Sequence, residues 1–380
     1  METLNCATMP TFTLCYDGHD MTADIAPHVL AILYSDRLGE CADSLEIEID
    51  ARNACWLNSW YPHKGAQLDF RFGYRHNPLI YAGAFELDEI QASGPPSRLS
   101  LRARATGGQR MMRTRFSRAY EHTTLQAIVE KMARRLRMTL IGEIEALPID
   151  RATQYQESDL AFLHRLATQY GYLFKITDNH SKLVFWRMAD LAQGAVQHHY
   201  TPAELTHWQL CDSLSQVPAA VRLRYHHPRQ RSLIRGQAQL AESLVPGDLR
   251  MGYASSVDIV QLTRRAPTQA SANLQAQRIL DARTLLRTRG RLTLTGNPSL
   301  AAGQRLELTG LGLMGGRYLI TRATHAICRT QGYTTTLDIQ RLPPFAAHNT
   351  PTSCPAVQPA LPPSSSTPPA CGCATGESST

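Results

Sequence analysis

Asp43-Ser44-Leu45-Glu46-Ile47-Glu48-Ile49-Asp50 is the stretch on which the reading of this fold turns. Leu45, Ile47 and Ile49 alternate with Ser44, Glu46, Glu48 and Asp50. A period of two puts the aliphatic side chains on one face of an extended chain and the polar ones on the other. Alternation this strict belongs to half-buried antiparallel strands, as in barrels and sandwiches. Gln67-Leu68-Asp69-Phe70-Arg71-Phe72 and Arg98-Leu99-Ser100-Leu101-Arg102-Ala103 repeat it. The first hundred or so residues therefore read as short strands separated by turns.

From Thr123 the period becomes helical. Leu125, Ile128, Val129, Met132 and Leu136 share a face, and Thr123 with Gln126 three residues on predicts a capping-box start. A second helix is expected from about Ser158, with Leu160, Leu163, Ala167 and Tyr170 on one face and Gly171 placed to end it. Thr139–Gly142 and Lys182–Trp186 are strand candidates, so the middle region reads as α+β. Alternation returns at Ala220–Tyr225, and a third helix is expected through Ala276, Ile279, Leu280, Arg283 and Leu286. Strands resume at Arg291–Thr295, Arg305–Leu308, Tyr318–Thr321 and Thr334–Gln340, with turns at Gly296-Asn297-Pro298, Gly303, Gly310, Gly312 and Gly315-Gly316. After Pro343-Pro344 the composition collapses into Pro, Ser, Thr and Ala, which buries too little apolar area to offset the entropy of ordering. Residues 345–380 are expected to be a disordered tail.

Bulk properties narrow the function classes. With 380 residues, 43% hydrophobic and 19% charged, the chain is long enough for two or three packed domains. The net charge of +7 is mild, and Arg222, Arg224, Arg291, Arg305, Arg317 and Arg322 sit singly between apolar residues, as on solvated strand faces and not in a nucleic-acid-binding stripe. Nine scattered cysteines form neither a disulfide framework nor a zinc spacing. The N-terminus lacks a signal-peptide pattern and nowhere do about 18 apolar residues run together, so synthesis in a cytoplasm without stable membrane insertion is expected.

Candidate chemistry is thin. Glu157-Ser158-Asp159 is acidic, but acidic residues and a serine at a helix start answer its unpaired amides and positive dipole end. Glu143 and Glu145, two apart on an exposed strand face, are spaced like an inverting glycosidase pair, which ordinarily draws its carboxylates from separate elements. His198-His199 and His226-His227 are neighbours on strands and point to opposite faces, so neither pair readily chelates one ion. Cys371-Gly372-Cys373 lacks two further ligands. Gly310-Leu311-Gly312-Leu313-Met314-Gly315 lies between strand candidates and reads as a glycine-rich β-turn, not a dinucleotide fingerprint. No nucleophile elbow, Walker loop or zincin motif occurs. No catalytic, cofactor or metal residue is assigned, and no enzyme is expected.

Glu157-Ser158-Asp159, continued by Phe162-Leu163 and then Gly171, resembles the helix signature of phage late control protein D, shared with the hub part of type VI secretion spike proteins. Gly296-Asn297-Pro298 and, beyond His325, Gly332-Tyr333 with Thr335 are similar to later pieces of the same family, in the same order. Asp43-Ser44-Leu45 and Pro62-His63-Lys64-Gly65-Ala66 extend the likeness over roughly residues 10 to 342. The resemblance implies two tube-like antiparallel β-barrel domains, at 1–110 and, with one helix, at 201–344. These flank an α+β middle at 111–200, in an α+β, mostly β chain with its Pro/Ser-rich tail at 345–380. It implies a homotrimeric baseplate hub whose six barrels adapt a sixfold tail tube to a threefold spike. Its partners would be itself, the spike, the tube protein and other baseplate proteins, with no nucleic acid. It would be assembled in the host cytoplasm and then reside in the virion or tail-particle baseplate. Because Pro343-Pro344 leads directly into the tail and not into a β-helix, the spike is expected to be a separate polypeptide, as in the phage, prophage or phage-tail-like bacteriocin branch. The alternatives are a regulator of late genes using Arg134-Arg135-Leu136-Arg137, and a tail-associated peptidoglycan hydrolase using Glu143 and Glu145.

Overall fold

A computed structural model describes residues 9–39, 43–105, 114–177, 181–187, 190, 194–227, 231–240 and 256–342. The expected tail at 345–380, with Cys371 and Cys373, lies outside them. The first block comprises β1 (Pro10–Tyr16), β2 (His19–Asp20), β3 (Val29–Arg37), β4 (Ser44–Asp50), β5 (Gln67–Tyr74), β6 (Ile80–Ser93) and β7 (Arg98–Arg104), with the one-turn helix α1 (Thr22–Ile25). Period-two alternation decides its faces. Leu45, Ile47 and Ile49 are fully buried beside Leu68, Phe70, Phe72, Leu99 and Leu101. On the opposite face Arg98 pairs with Glu48 at 2.6 Å and Arg102 with Glu46 at 3.2 Å.

The middle unit contains β8 (Arg115–Thr124), α2 (Leu125–Leu136), β9 (Thr139–Ile141), β10 (Pro148–Ser158), α3 (Asp159–Tyr170), β11 (Tyr172–Thr177) and β12 (Lys182–Arg187). β10 pairs antiparallel with β8, and a second small sheet runs in the order β11-β12-β9. The apolar stripes of α2 and α3 meet in one core through Ile128, Val129, Met132, Phe162, Leu163 and Leu166. Ser158 caps α3 by accepting the amide of Ala161, and Gly171 ends it at φ 69°, a left-handed conformation that glycine adopts without steric cost. The cap of α2 is Thr124 and not Thr123, because β8 continues through Thr123 and the Thr124 hydroxyl accepts the Ala127 amide. Gln126 instead donates to Glu130.

The last block comprises β13 (His198–Tyr200), β14 (His207–Asp212), β18 (Thr288–Thr295), β19 (Arg305–Leu308), β20 (Gly316–Cys328) and β21 (Gly332–Arg341). Between β14 and β18 the chain builds a separate layer. There β15 (Pro218–His227) lies between β16 (Ser232–Gln239) and β17 (Ser256–Thr263), and α4 (Gln269–Thr284) packs through Ala276, Ile279 and Leu280. Helix α4 stops short of Leu286. Arg305 is not on a solvated face: it is 6% exposed and donates to the Ala195 carbonyl. The glycine-rich turn between β19 and β20 contains one 3-10 turn, Gly312–Met314.

First and last blocks share one 13-stranded sheet, whose main path is β14-β18-β21-β20-β3-β4-β7-β6-β5-β1-β2. β13 and β19 complete the sheet off this path, β19 pairing with both β13 and β20, and no ladder among the described residues closes either block into a barrel. β20 is the splice. Its first half pairs with β19 and its second half with β3, and its register against β21 shifts between Ile320 and Arg322. A bulge bends a strand and increases its twist, which lets β20 leave one neighbour and take another.

Candidate functional site

Several of the buried polar residues among the described ones, Ser35, Asp36, His325 and Thr335, lie at or beside the junction of β3 and β20. On β3 the alternating positions Ile32, Tyr34 and Asp36 all point inward, and on β20 the cross-strand partners of Tyr34 and Asp36 are His325 and Ala323. Tyr34 stacks on His325 with ring centres 5.8 Å apart. His325 is 2% exposed, and its Nε2 lies 3.0 Å from the Leu300 carbonyl. A carbonyl can only accept, so Nε2 carries the proton and Nδ1 accepts from the Tyr333 hydroxyl at 2.8 Å. Burial pushes the His325 pKa down to about 4, keeping the ring neutral. Burial likewise raises the Tyr333 phenol.

The later motif residues converge on this knot. Gly296 donates its amide to the Tyr333 carbonyl and accepts the Tyr74 hydroxyl of the first block at 2.7 Å. A Cβ at Gly296 would stand 2.2 Å from the Tyr333 ring, so any larger residue there must displace that ring. Asn297 donates its amide to the Thr335 hydroxyl, and its side-chain oxygen accepts from Ser299, while Pro298 occupies the turn between them. The Thr335 hydroxyl also lies 3.3 Å from His325 Nδ1. Gly332 starts β21 at φ 74°.

Two residues along the same β3 face is a second, charged knot. Asp36 accepts the Ala302 amide at 2.8 Å and forms an ion pair with Lys175 of β11, which brings the middle unit onto the splice. Asp43 accepts the Arg37 amide at 2.9 Å; burial and the nearby Asp36 push its carboxyl up to about 7. Asp36, Lys175, Tyr34 and Tyr74 were not singled out from sequence. The available signal was a carboxylate at Asp36, where the period set by Ile32 and Tyr34 calls for an apolar side chain.

Glu157-Ser158-Asp159 forms a separate clamp inside the middle unit. Asp159 is 1% exposed, accepts from Gln154 at 2.8 Å and pairs with Arg135 of α2; burial raises its pKa against the pull of Gln154 and Arg118. Glu157 accepts from Arg165 at 3.0 Å. Phe162 stacks on Tyr120 with ring centres 5.4 Å apart, and Leu163 is fully buried. Arg135 is thus committed to Asp159, and Arg137 forms the left-handed cap of α2 at φ 57°.

Glu143 and Glu145 do not share a strand face, because β9 ends at Ile141 and both lie in the following loop. Glu145 is held by Arg187 at 2.6 Å and by Arg278 of α4 at 3.0 Å, which ties the middle unit to the β15–β17 layer. His198 contacts Gln304 and His199 pairs with Glu307. No group of three metal-ligating side chains assembles among the described residues. Nor is any described helix long and apolar enough to cross a membrane. The site's groups are spent on one another, an arrangement that holds units together.

Comparison with known proteins agrees with that architecture. The prophage MuSo2 43 kDa tail protein from Shewanella oneidensis shares the fold at a TM-score of 0.64 and 13% identity, over 87% of this chain and 98% of that one. An Escherichia coli component of the type VI secretion system shares it at a TM-score of 0.51 and 14% identity, over 82% of this chain and 73% of that one. By sequence, the probable baseplate hub protein of Escherichia phage 186 is 30% identical over 164 residues, 43% of this chain. The matched stretch spans 41% of the length of that relative. Residues 88–330 match the family model described as phage tail baseplate hub (GPD), well over half of the chain, and the chain belongs to that family.

Proposed function

We propose that the chain is the structural hub subunit of a contractile tail or tail-like particle, acting as a homotrimer that joins the tail tube to the spike. The observation that carries this reading is the splice at β3 and β20, through which each chain sets two β blocks side by side in one sheet. Three such chains supply six blocks, the number that a sixfold tube needs, on a threefold platform that a trimeric spike needs. The sheet path ends at β14 on one side and β1–β2 on the other, and unpaired strand edges are templates for further pairing. Head-to-tail joining of those ends closes a ring when the rotation per subunit is right. The work is binding and not catalysis, with tube, spike and other baseplate proteins as partners. Assembly takes place in the host cytoplasm and the product resides in the particle's baseplate.

Light scattering on the purified full chain, with and without a spike protein of the same particle, tests this. The expected mass is three times the 42.2 kDa of one chain, or, once the spike is added, that of three chains plus the bound spike. A monomer under both conditions contradicts the proposal.

A further inference from the structure

A cleft of about 440 Å³ opens between the middle unit and the β15–β17 layer, walled by Thr153, Arg165 and Tyr170 on one side and by Tyr225, Arg264 and Arg265 on the other. Arg165 has partners: it donates to Glu157 and, at 2.7 Å, to the Thr153 carbonyl. Arg264 and Arg265 have no carboxylate within 4.0 Å among the described residues. Asp150, the acidic residue of the lining, lies 3.6 Å from His122. Arg264 is also partly buried, so burial and the facing Arg165 both pull its pKa below the ordinary arginine value. A guanidinium withdrawn from water without an anion is a standing energetic cost, which an incoming oxyanion relieves through paired, charge-assisted hydrogen bonds.

The aromatic residues narrow the ligand. Tyr225 and Tyr170 form part of the wall, and Arg151 and Thr153 alternate as exposed lining positions along β10. Inorganic phosphate would use the arginines and leave this surface unused. An acidic peptide carrying an apolar side chain uses both, in the manner of aromatic and arginine anchors at protein interfaces. We propose that the cleft is a docking site for an acidic segment of a partner protein, with carboxylates on Arg264 and Arg265 and an apolar side chain against Tyr225. This goes beyond the hub reading and does not depend on the number of subunits.

The test is fluorescence anisotropy of the full chain with a labelled octapeptide of glutamate and aspartate around one phenylalanine. Expected are saturable binding, a loss of about tenfold or more on Arg264→Glu with Arg265→Glu, and a smaller loss on Tyr225→Ala. Arg291→Glu, a charge reversal on another sheet and outside the cleft lining, should leave binding unchanged. If the double variant does not fold by circular dichroism, Arg265→Gln at the exposed position provides the same comparison. No binding, or equal binding by the cleft variants and wild type, overturns the proposal. So does displacement of the peptide by inorganic phosphate or a single-stranded oligonucleotide at equal concentration, which would assign the cleft to phosphate.

Discussion

Two polar knots lie on one inward face of the β3–β20 splice, two residues apart, and they hold it by opposite means. At Tyr34 and His325 the groups are neutral and each hydrogen bond stays within the two β blocks. At Asp36 the groups are charged, and the counter-ion, Lys175, is brought by a third unit. A neutral knot can form as soon as two blocks meet. A buried carboxylate is tolerable only once its cation arrives, so the Asp36 site couples the position of the middle unit to the integrity of the splice.

Lys175→Met strikes that contrast hardest. It leaves Asp36 as a buried charge without its ion and should cost about 3–5 kcal/mol in urea unfolding. Adding Asp36→Asn should restore much of the loss, because the pair and not either residue alone is at stake. His325→Leu leaves the Leu300 carbonyl and Tyr333 hydroxyl without their partner and should cost about 2–4 kcal/mol. Failure of Asp36→Asn to restore stability to Lys175→Met would erase the distinction between them.

The two knots also respond to pH with opposite sign. His325 is depressed from 6.5 to about 4, so its contribution is complete above about pH 6.5 and is lost as pH falls through 4. Asp43 is raised from 3.8 to about 7, so the stability linked to it is complete below about pH 3.8 and is lost as pH rises through 7. The slopes oppose each other in wild type. In His325→Leu the opposing slope is removed, so the unfolding midpoint should fall more steeply, or rise less, between pH 4 and 7 than in wild type. Gly296→Ala forces a methyl group into the Tyr333 ring and should cost about 1–3 kcal/mol. Arg98→Gln, which breaks an exposed pair with Glu48, should change stability by less than about 1 kcal/mol.

What could be read from the sequence was whatever a short window carries. Leu45, Ile47 and Ile49 announce their buried face, and Ser158 and Gly171 mark the two ends of α3, because strand alternation and helix caps are local physics. The splice was not legible in the same way. Ser35 touches Thr324 across 289 positions of sequence, and no short-range pattern reports which β blocks will share a sheet. The separate β15–β17 layer was hidden for a related reason: β17 joins β15 in parallel, by a crossover that period-two reading cannot see. Glu143 and Glu145 looked like strand neighbours, yet long-range pairing of Glu145 with Arg187 and Arg278 holds a loop there instead. The motif residues Gly296, Asn297, Tyr333 and Thr335 could be picked out by resemblance, but their common role around His325 emerges only in three dimensions.

The central claim is that each chain contributes two β blocks, joined at β3 and β20, to a ring of six around a threefold axis. Electron cryomicroscopy of the assembled hub, viewed along its axis, tests it most directly. The account predicts six β blocks around the channel, with continuous density from β3 to β20 within each of three subunits. A particle in which the two blocks of one chain are separated, or in which the ring contains a number of blocks other than six, contradicts it.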